Sequence, residues 1–346
     1  MDSHNYSNFF NVTSEVALSF VVLQPIYFFF GFIGNGAVCV SLLRKWKKLQ
    51  VNDYFVINLA LSDGLSIIGS MISYFPSFIR IYINDLPVYQ TDSISCRFNG
   101  GIIIYCALVS IYSMMFLAVI RYLKIVRSQI SYRLIKGKRF VFTFWVINWV
   151  FPLIVVVPPV IGFWVRYMFY INTGICFPVF QASQIDASIF YLIFFVIFVN
   201  IVPYIVILYC YWFIYKEVRD SHRRVVRHDK VNRRRRFYWR KSNDSNDSTI
   251  EGSTVCLTIS RRRDIALAKT MFMIIIVFQI SYFPFLVAMT LSCFYSNPLL
   301  DKLLVLTISV TYTSSLVNPI IFLINNSRVQ KRISGIMGKW RTAPSG

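Results

Sequence analysis

Seven stretches nearly free of charge fill most of this chain between Val16 and Ser327, more apolar length than an ordinary soluble domain can bury. They run over residues 16–43, 54–79, 98–120, 140–165, 187–215, 270–300 and 303–327, and Asp63 is the sole acidic residue deep within any of them. Roughly 20 apolar residues cross a hydrocarbon core as a helix. Helix is the form lipid imposes, because it satisfies every backbone donor and acceptor inside the segment. The expected fold is an all-α membrane protein, a seven-transmembrane helix bundle with spans at about 18–43, 52–79, 95–126, 138–162, 186–216, 263–292 and 298–324. A composition 56% hydrophobic and 15% charged, with 32 Phe and 21 Tyr, agrees with lipid as the main solvent.

The charges that remain are one-sided. Of 36 Lys and Arg residues, only Arg80, Arg97, Arg166 and Lys302 fall on one face of the implied membrane. Cytoplasmic loops are the ones enriched in Lys and Arg, so the N-terminus is expected outside and the C-terminus inside. The net charge of +21 and the run Arg233 to Arg236 invite a nucleic-acid reading. Their place beside membrane spans favours anionic lipid and an acidic cytosolic partner instead, with no nucleic acid. The first 20 residues carry no basic leader, and the first apolar run exceeds a signal peptide, so it reads as a retained anchor. Residues 1–17 then face the secretory lumen, where Asn5 and Asn11 are glycosylation acceptors of a plasma-membrane glycoprotein. The sequons at Asn243, Asn246 and Asn325 fall inside and are expected bare.

Residues of about 220–260 are basic and polar around a Ser, Asn and Asp cluster, the composition of a disordered third intracellular loop. Its basic flanks could continue the fifth and sixth helices, and its serines are open to phosphorylation. Residues 325–339 alternate apolar and basic positions, as in an amphipathic helix on the membrane surface, and 340–346 form a tail. Cys96 and Cys176 both face the oxidising side, and a bridge between them would tie the loop after the fourth span across the bundle mouth. Cys39, Cys106 and Cys210 read as small buried apolar residues. A charge at the depth of Asp63 demands a partner, a proton or a cation. Asn35, Ser110, Ser314, Ser315 and Asn318 offer oxygens, so the group suits sodium or water, and equally a structural hydrogen-bonded knot. Pro284 and Pro319 stand where a bend lets the inner ends of the last two spans move.

In order along the chain come Gly34-Asn35-Gly36, Asn58-Leu-Ala-Leu-Ser-Asp63, Cys96, Arg121-Tyr122, Trp149, Pro203, Tyr211, Phe278-Gln-Ile-Ser-Tyr-Phe-Pro284 and Asn318-Pro-Ile-Ile-Phe322. The ordered set resembles the rhodopsin-like G-protein-coupled receptors over nearly the whole chain. The passage Pro158-Pro159-Val-Ile-Gly162-Phe163 with Arg166-Tyr167, and Ser314-Ser315 before Asn318-Pro319, look most like opsins. Opsins carry the retinal-linking Lys seven residues before that last Pro, and here the position is Tyr312. A phenol cannot form an imine, so covalent retinal is not expected. The matching counterion positions are Asn99 and Tyr170, also without charge, as in opsin-related receptors lacking the lysine.

The resemblance implies a ligand pocket of Asn99, Ile103, Ile104, Ala107, Tyr282, Phe285, Ile308 and Tyr312. It has no acid for an amine, which favours a small, apolar, noncovalent ligand. It also implies a switch of Arg121, Tyr122, Tyr211, Asp264, Asn318, Pro319 and Phe322 acting on a heterotrimeric G protein, with arrestin and a receptor kinase meeting the third intracellular loop. No enzymatic step is expected. Ile120 replaces the usual acid before Arg121, Phe322 the usual Tyr, and Tyr282 the usual Trp, while Asp264 keeps one acid within reach of Arg121. The alternatives are a non-signalling, scramblase-like opsin relative that handles lipid, or a receptor for a peptide or other small molecule.

Overall fold

The apolar runs become helices that extend past the lipid-crossing length. The first, α1 (Ser14–Leu43), is followed by α2 (Val51–Tyr82), α3 (Ile94–Ile125) and α4 (Lys138–Ile161). Strands β1 (Arg166–Tyr170) and β2 (Ile175–Val179) come next. Then come α5 (Ile185–Phe195, Val196–Ile201 and Val202–Trp239 end to end), α6 (Ser248–Phe294) and α7 (Pro298–Asn325). This computed structural model describes residues 12–44, 47, 49–85, 87–91, 93–127, 137–163, 165–179, 185–239, 248–295 and 297–325. Of these, 138, 179, 185–188, 222, 224–239, 248–264, 267, 293 and 325 are described by backbone alone. Asn5, Asn11, residues 326–346 and the Asp264 side chain lie outside the described set.

Among the described residues, seven helices are long and apolar enough to cross a membrane, as the charge-free runs require. Expected and observed ends differ mainly around 220–260, where a spacer was expected: the described backbone is helical to Trp239 and again from Ser248. α3 is the hub, packing on α2, α4, α5, α6 and both strands, while α7 packs on α6, α1 and α2. The polar ends are set locally. Ser93 accepts the Cys96 N–H at 3.1 Å to start α3, and the Asp53 carboxylate accepts the Gln50 N–H at 2.8 Å to start α2. α4 stops at Gly162, whose positive φ of 78° suits the left-handed cap position.

Two helices are widened for one turn, to π geometry, at Tyr27–Gly31 and Val196–Ile201. The second has a visible cause. The Val202 N–H turns to Ile197 O, and Pro203 has no N–H, so the Phe198 carbonyl loses both of its in-helix donors. The Tyr112 hydroxyl of α3 donates to that carbonyl at 2.6 Å.

The strands form an antiparallel hairpin pairing Arg166 with Val179 and Phe169 with Cys176. A Cys96–Cys176 disulfide, Cα–Cα 5.4 Å, fixes it to the top of α3 as expected. Gly174 in the turn has φ of 72°, the left-handed region that favours glycine, and its Cα packs close to the end of the Ile81 side chain. The Val12 N–H donates to Asn172 O at 3.3 Å, joining the segment before α1 to the same turn.

Candidate functional site

The inner end of the bundle is built around Arg121, the largest fully buried side chain, at 2% exposure on the last turns of α3. Tyr211 of α5 stands beside it, its ring tilted against Phe272 at 5.1 Å, and its hydroxyl finds no hydrogen-bond partner among the described residues. Tyr122 turns the other way. Its ring packs on Tyr209 and Phe213, and its hydroxyl accepts from Arg127 Nε at 3.1 Å. Ile120 is buried at 4% exposure, an apolar wall where a carboxylate would face Arg121.

Halfway across the membrane, Asp63 is 3% exposed and accepts from two helices. Ser110 Oγ of α3 donates to Oδ1 at 2.9 Å, and Asn318 Nδ2 of α7 donates to Oδ2 at 2.9 Å. The Ser315 side chain lies beside the carboxyl, and Ser62 Oγ joins Ser110 Oγ at 2.7 Å. Asn35 of α1 donates to the carbonyls of Gly31 and Ser315, both at 2.9 Å, so it orders the backbone around the carboxylate rather than touching it. Ser314 donates to Thr311 O in its own helix. Toward the cytosol, a narrow cleft opens between Asn35, Met271, Asn318, Pro319 and Phe322. Asn318 Oδ1, the amide oxygen not engaged with Asp63, has no partner among the described residues. A carboxylate with two hydroxyls and an amide is chemistry for a small monovalent cation or for water.

Toward the outside the walls turn aromatic. Tyr312 is 3% exposed, 6.4 Å from the Tyr27 ring, within one apolar cluster that takes in Ile308, Ile67, Tyr74 and, from outside the bundle core, Phe20, Ile175 and Phe177. Ile103, Ile104 and Phe285 pack against that cluster, and Phe285 meets Phe177 of the hairpin edge to face at 6.4 Å. Ala107 is half-buried on α3 nearby in sequence. Two of the expected pocket residues also engage other neighbours. Asn99 Nδ2 donates to Tyr89 OH at 3.0 Å, which turns it toward the loop before α3. Tyr282 stacks at 4.0 Å on Phe278 and joins the inner cluster. In the hairpin, burial pushes the Tyr167 phenol well above its ordinary range and keeps it neutral.

The sequence alone missed a polar tie on the α2 and α4 faces. Asn58 Oδ1 accepts both Trp145 Nε1 at 2.8 Å and Trp149 Nε1 at 3.3 Å. Two indoles one helical turn apart in an uncharged span are the signal that pointed to it, since a buried indole N–H seeks an acceptor.

Residues 34–322 match the profile described as 7 transmembrane receptor (rhodopsin family). The chain is 24% identical over 345 residues to the alpha-1A adrenergic receptor of Oryzias latipes, covering 97% of this chain and 70% of that one. It is 24% identical to melanopsin-A of Danio rerio over 88% of this chain and 47% of the relative. It is 28% identical to octopamine receptor beta-1R of Drosophila melanogaster over 90% and 60%, so it spans only about half of those two relatives. A crystal structure of squid rhodopsin superposes with a TM-score of 0.74 at 19% identity, over 98% of this chain and 90% of that one, a likeness of fold.

Proposed function

This chain belongs to the rhodopsin family of seven-transmembrane receptors, and from that premise we propose that it transmits binding of a small apolar ligand, held noncovalently, to a heterotrimeric G protein. The observation that carries the reading is Tyr312. It fills the site from which opsins attach retinal, deep in an apolar cluster capped by the hairpin and the outer end of α1. The adrenergic, octopamine and melanopsin relatives differ in the ligands their names imply, so ligand chemistry is taken from this chain's own side chains. No carboxylate stands among Ile103, Ile104, Phe285, Ile308 and Tyr312 to pair with an amine.

Agonist binding acts by shifting a pre-existing balance between bundle states. In the active state the inner ends of α5 and α6 part from Arg121, which then meets the G protein together with Tyr211. Arrestin and a receptor kinase act on the loop between α5 and α6. Asp63 with Ser110, Ser315 and Asn318 holds a sodium ion or water that favours the inactive state. The protein performs no covalent chemistry.

The test is G-protein dissociation across all subtypes in cells bearing wild type or Arg121→Ala at equal surface density. Loss of basal and ligand-driven signal in the variant is expected. Equal signals from both forms would overturn the receptor reading. Retinal titration with borohydride trapping checks the noncovalent claim, and a trapped adduct on the wild-type chain would defeat it.

A further inference from the structure

Five buried polar atoms on three adjoining helices have no hydrogen-bond partner among the described residues. They are Nε2 and Oε1 of Gln24 on α1, the hydroxyls of Ser70 and Ser73 on α2, and the hydroxyl of Ser309 on α7. All four side chains are at most 4% exposed. Packing sets them at one depth in the outer half of the bundle. On α1, Phe20 and Tyr27 flank Gln24 along the same face. Phe20 meets Phe78 at 4.1 Å and Tyr74 at 6.4 Å on α2, while the Tyr27 hydroxyl joins Thr313 Oγ of α7 at 3.2 Å. Gln24 is thereby held at the seam of α2 and α7. The Ser70 side chain lies beside the Tyr312 phenol, Ser73 is one turn outward of Ser70, and Ser309 one turn outward of Thr313.

A serine within a membrane span ordinarily bonds back to its own helix, as Ser62, Ser77 and Ser314 do. Ser70, Ser73 and Ser309 do not, and the Gln24 amide has two ends to satisfy. An amide and hydroxyls both donate and accept. Along these three helices the nearest charges, Glu15, Asp63, Arg80 and Lys302, stand about two turns or more away. An ammonium or a carboxylate placed here would be buried without a counterion. The complement is a neutral group that itself donates and accepts.

We propose that the apolar ligand of the chamber carries one such group, a carboxamide or a hydroxyl, seated among Gln24, Ser70, Ser73 and Ser309 with its apolar body against Tyr312 and Ile308. This rests on the noncovalent-ligand reading above and specifies the class of that ligand.

Receptor in phosphatidylcholine nanodiscs is melted with dodecanamide, dodecanol, dodecyl methyl ether, dodecylamine or dodecane, each at equal mole fraction in the lipid. Wild type should be stabilised by the amide and the alcohol at about tenfold lower mole fraction than by the other three, the weight of about two neutral hydrogen bonds. Gln24→Met, unbranched and of similar length, should erase that preference and, with no probe present, melt no lower than wild type, since it leaves no buried amide unpaired. Ser309→Ala, read through a different helix, should narrow the preference about threefold. A wild type that responds to all five probes alike, or to none, overturns the proposal. So does a preference unmoved by either substitution. Gln24→Met that melts lower without probe, or does not fold, overturns it as well, showing an amide satisfied by ordered water in a structural role. Melting is read without G protein, so failure here leaves the Arg121→Ala test standing, and equal signals in that test leave this one standing.

Discussion

Tyr112→Phe removes one oxygen and leaves the ring, including its edge-to-face contact with Phe151 at 5.1 Å. What is lost is the hydrogen bond at 2.6 Å to Phe198 O, the carbonyl stripped of in-helix donors by Pro203 and by the turn of Val202 N–H to Ile197 O. In water-excluded surroundings a stranded carbonyl costs about 1–3 kcal/mol, and interhelical hydrogen bonds in membranes reach about 1–2 kcal/mol, so about 1–2 kcal/mol is expected. At about 2–4 °C per kcal/mol, the apparent melting midpoint should fall by about 2–8 °C. Cys39, Cys106 and Cys210 are free and buried, so with Cys256 and Cys293 replaced by serine a thiol-reactive fluorophore in detergent reports unfolding. The decisive arm is the same substitution in a Pro203→Ala background, where the alanine restores an N–H to the helix. There Tyr112→Phe should cost about 1 kcal/mol less, a coupling a double-mutant cycle resolves. An equal loss in both backgrounds refutes the account of the Phe198 carbonyl.

Tyr312→Lys should let retinal attach, yet give a near-ultraviolet band of an unprotonated imine rather than a visible one, because Asn99 and Tyr170 supply no counterion; a visible band would show that another anion serves. Phe322→Tyr restores a hydroxyl at the cleft below Asn318, on the side of the partnerless Tyr211 hydroxyl, and should raise ligand-stimulated nucleotide exchange several-fold with ligand affinity unchanged; an unaltered rate removes Phe322 from the switch. Asp63→Asn turns one acceptor into a donor facing Ser110 or Asn318, and should abolish any difference in melting between sodium and choline chloride; a persisting difference places the ion elsewhere.

The spans were legible because crossing lipid leaves a chain no option but long charge-free helix, and Asp63 because depth forces a partner upon it. Ser110, Ser315 and Asn318 meet it as expected, whereas Ser314 satisfies itself on the Thr311 carbonyl, a choice of rotamer that spacing does not encode. The hairpin was missed although its signal was present: Arg166 to Tyr170 and Ile175 to Val179 are short aromatic and branched runs flanking Gly174. Asn99 was placed by resemblance, but the Tyr89 hydroxyl draws it toward the loop before α3. The composition of residues 220–260 said only that they are polar and charged, which a helix projecting into water tolerates as well as a coil does.

The hairpin held by Cys96–Cys176, together with Val12 bonded to Asn172, lies across the outer end of the chamber around Tyr312. For the apolar ligand proposed above, arrival from water would meet that backbone tie, whereas arrival from among the acyl chains would pass between helices. Its effective concentration is then the one in the bilayer, so half-maximal doses expressed per volume of buffer should rise as lipid is added to the assay, with the intrinsic binding constant unchanged.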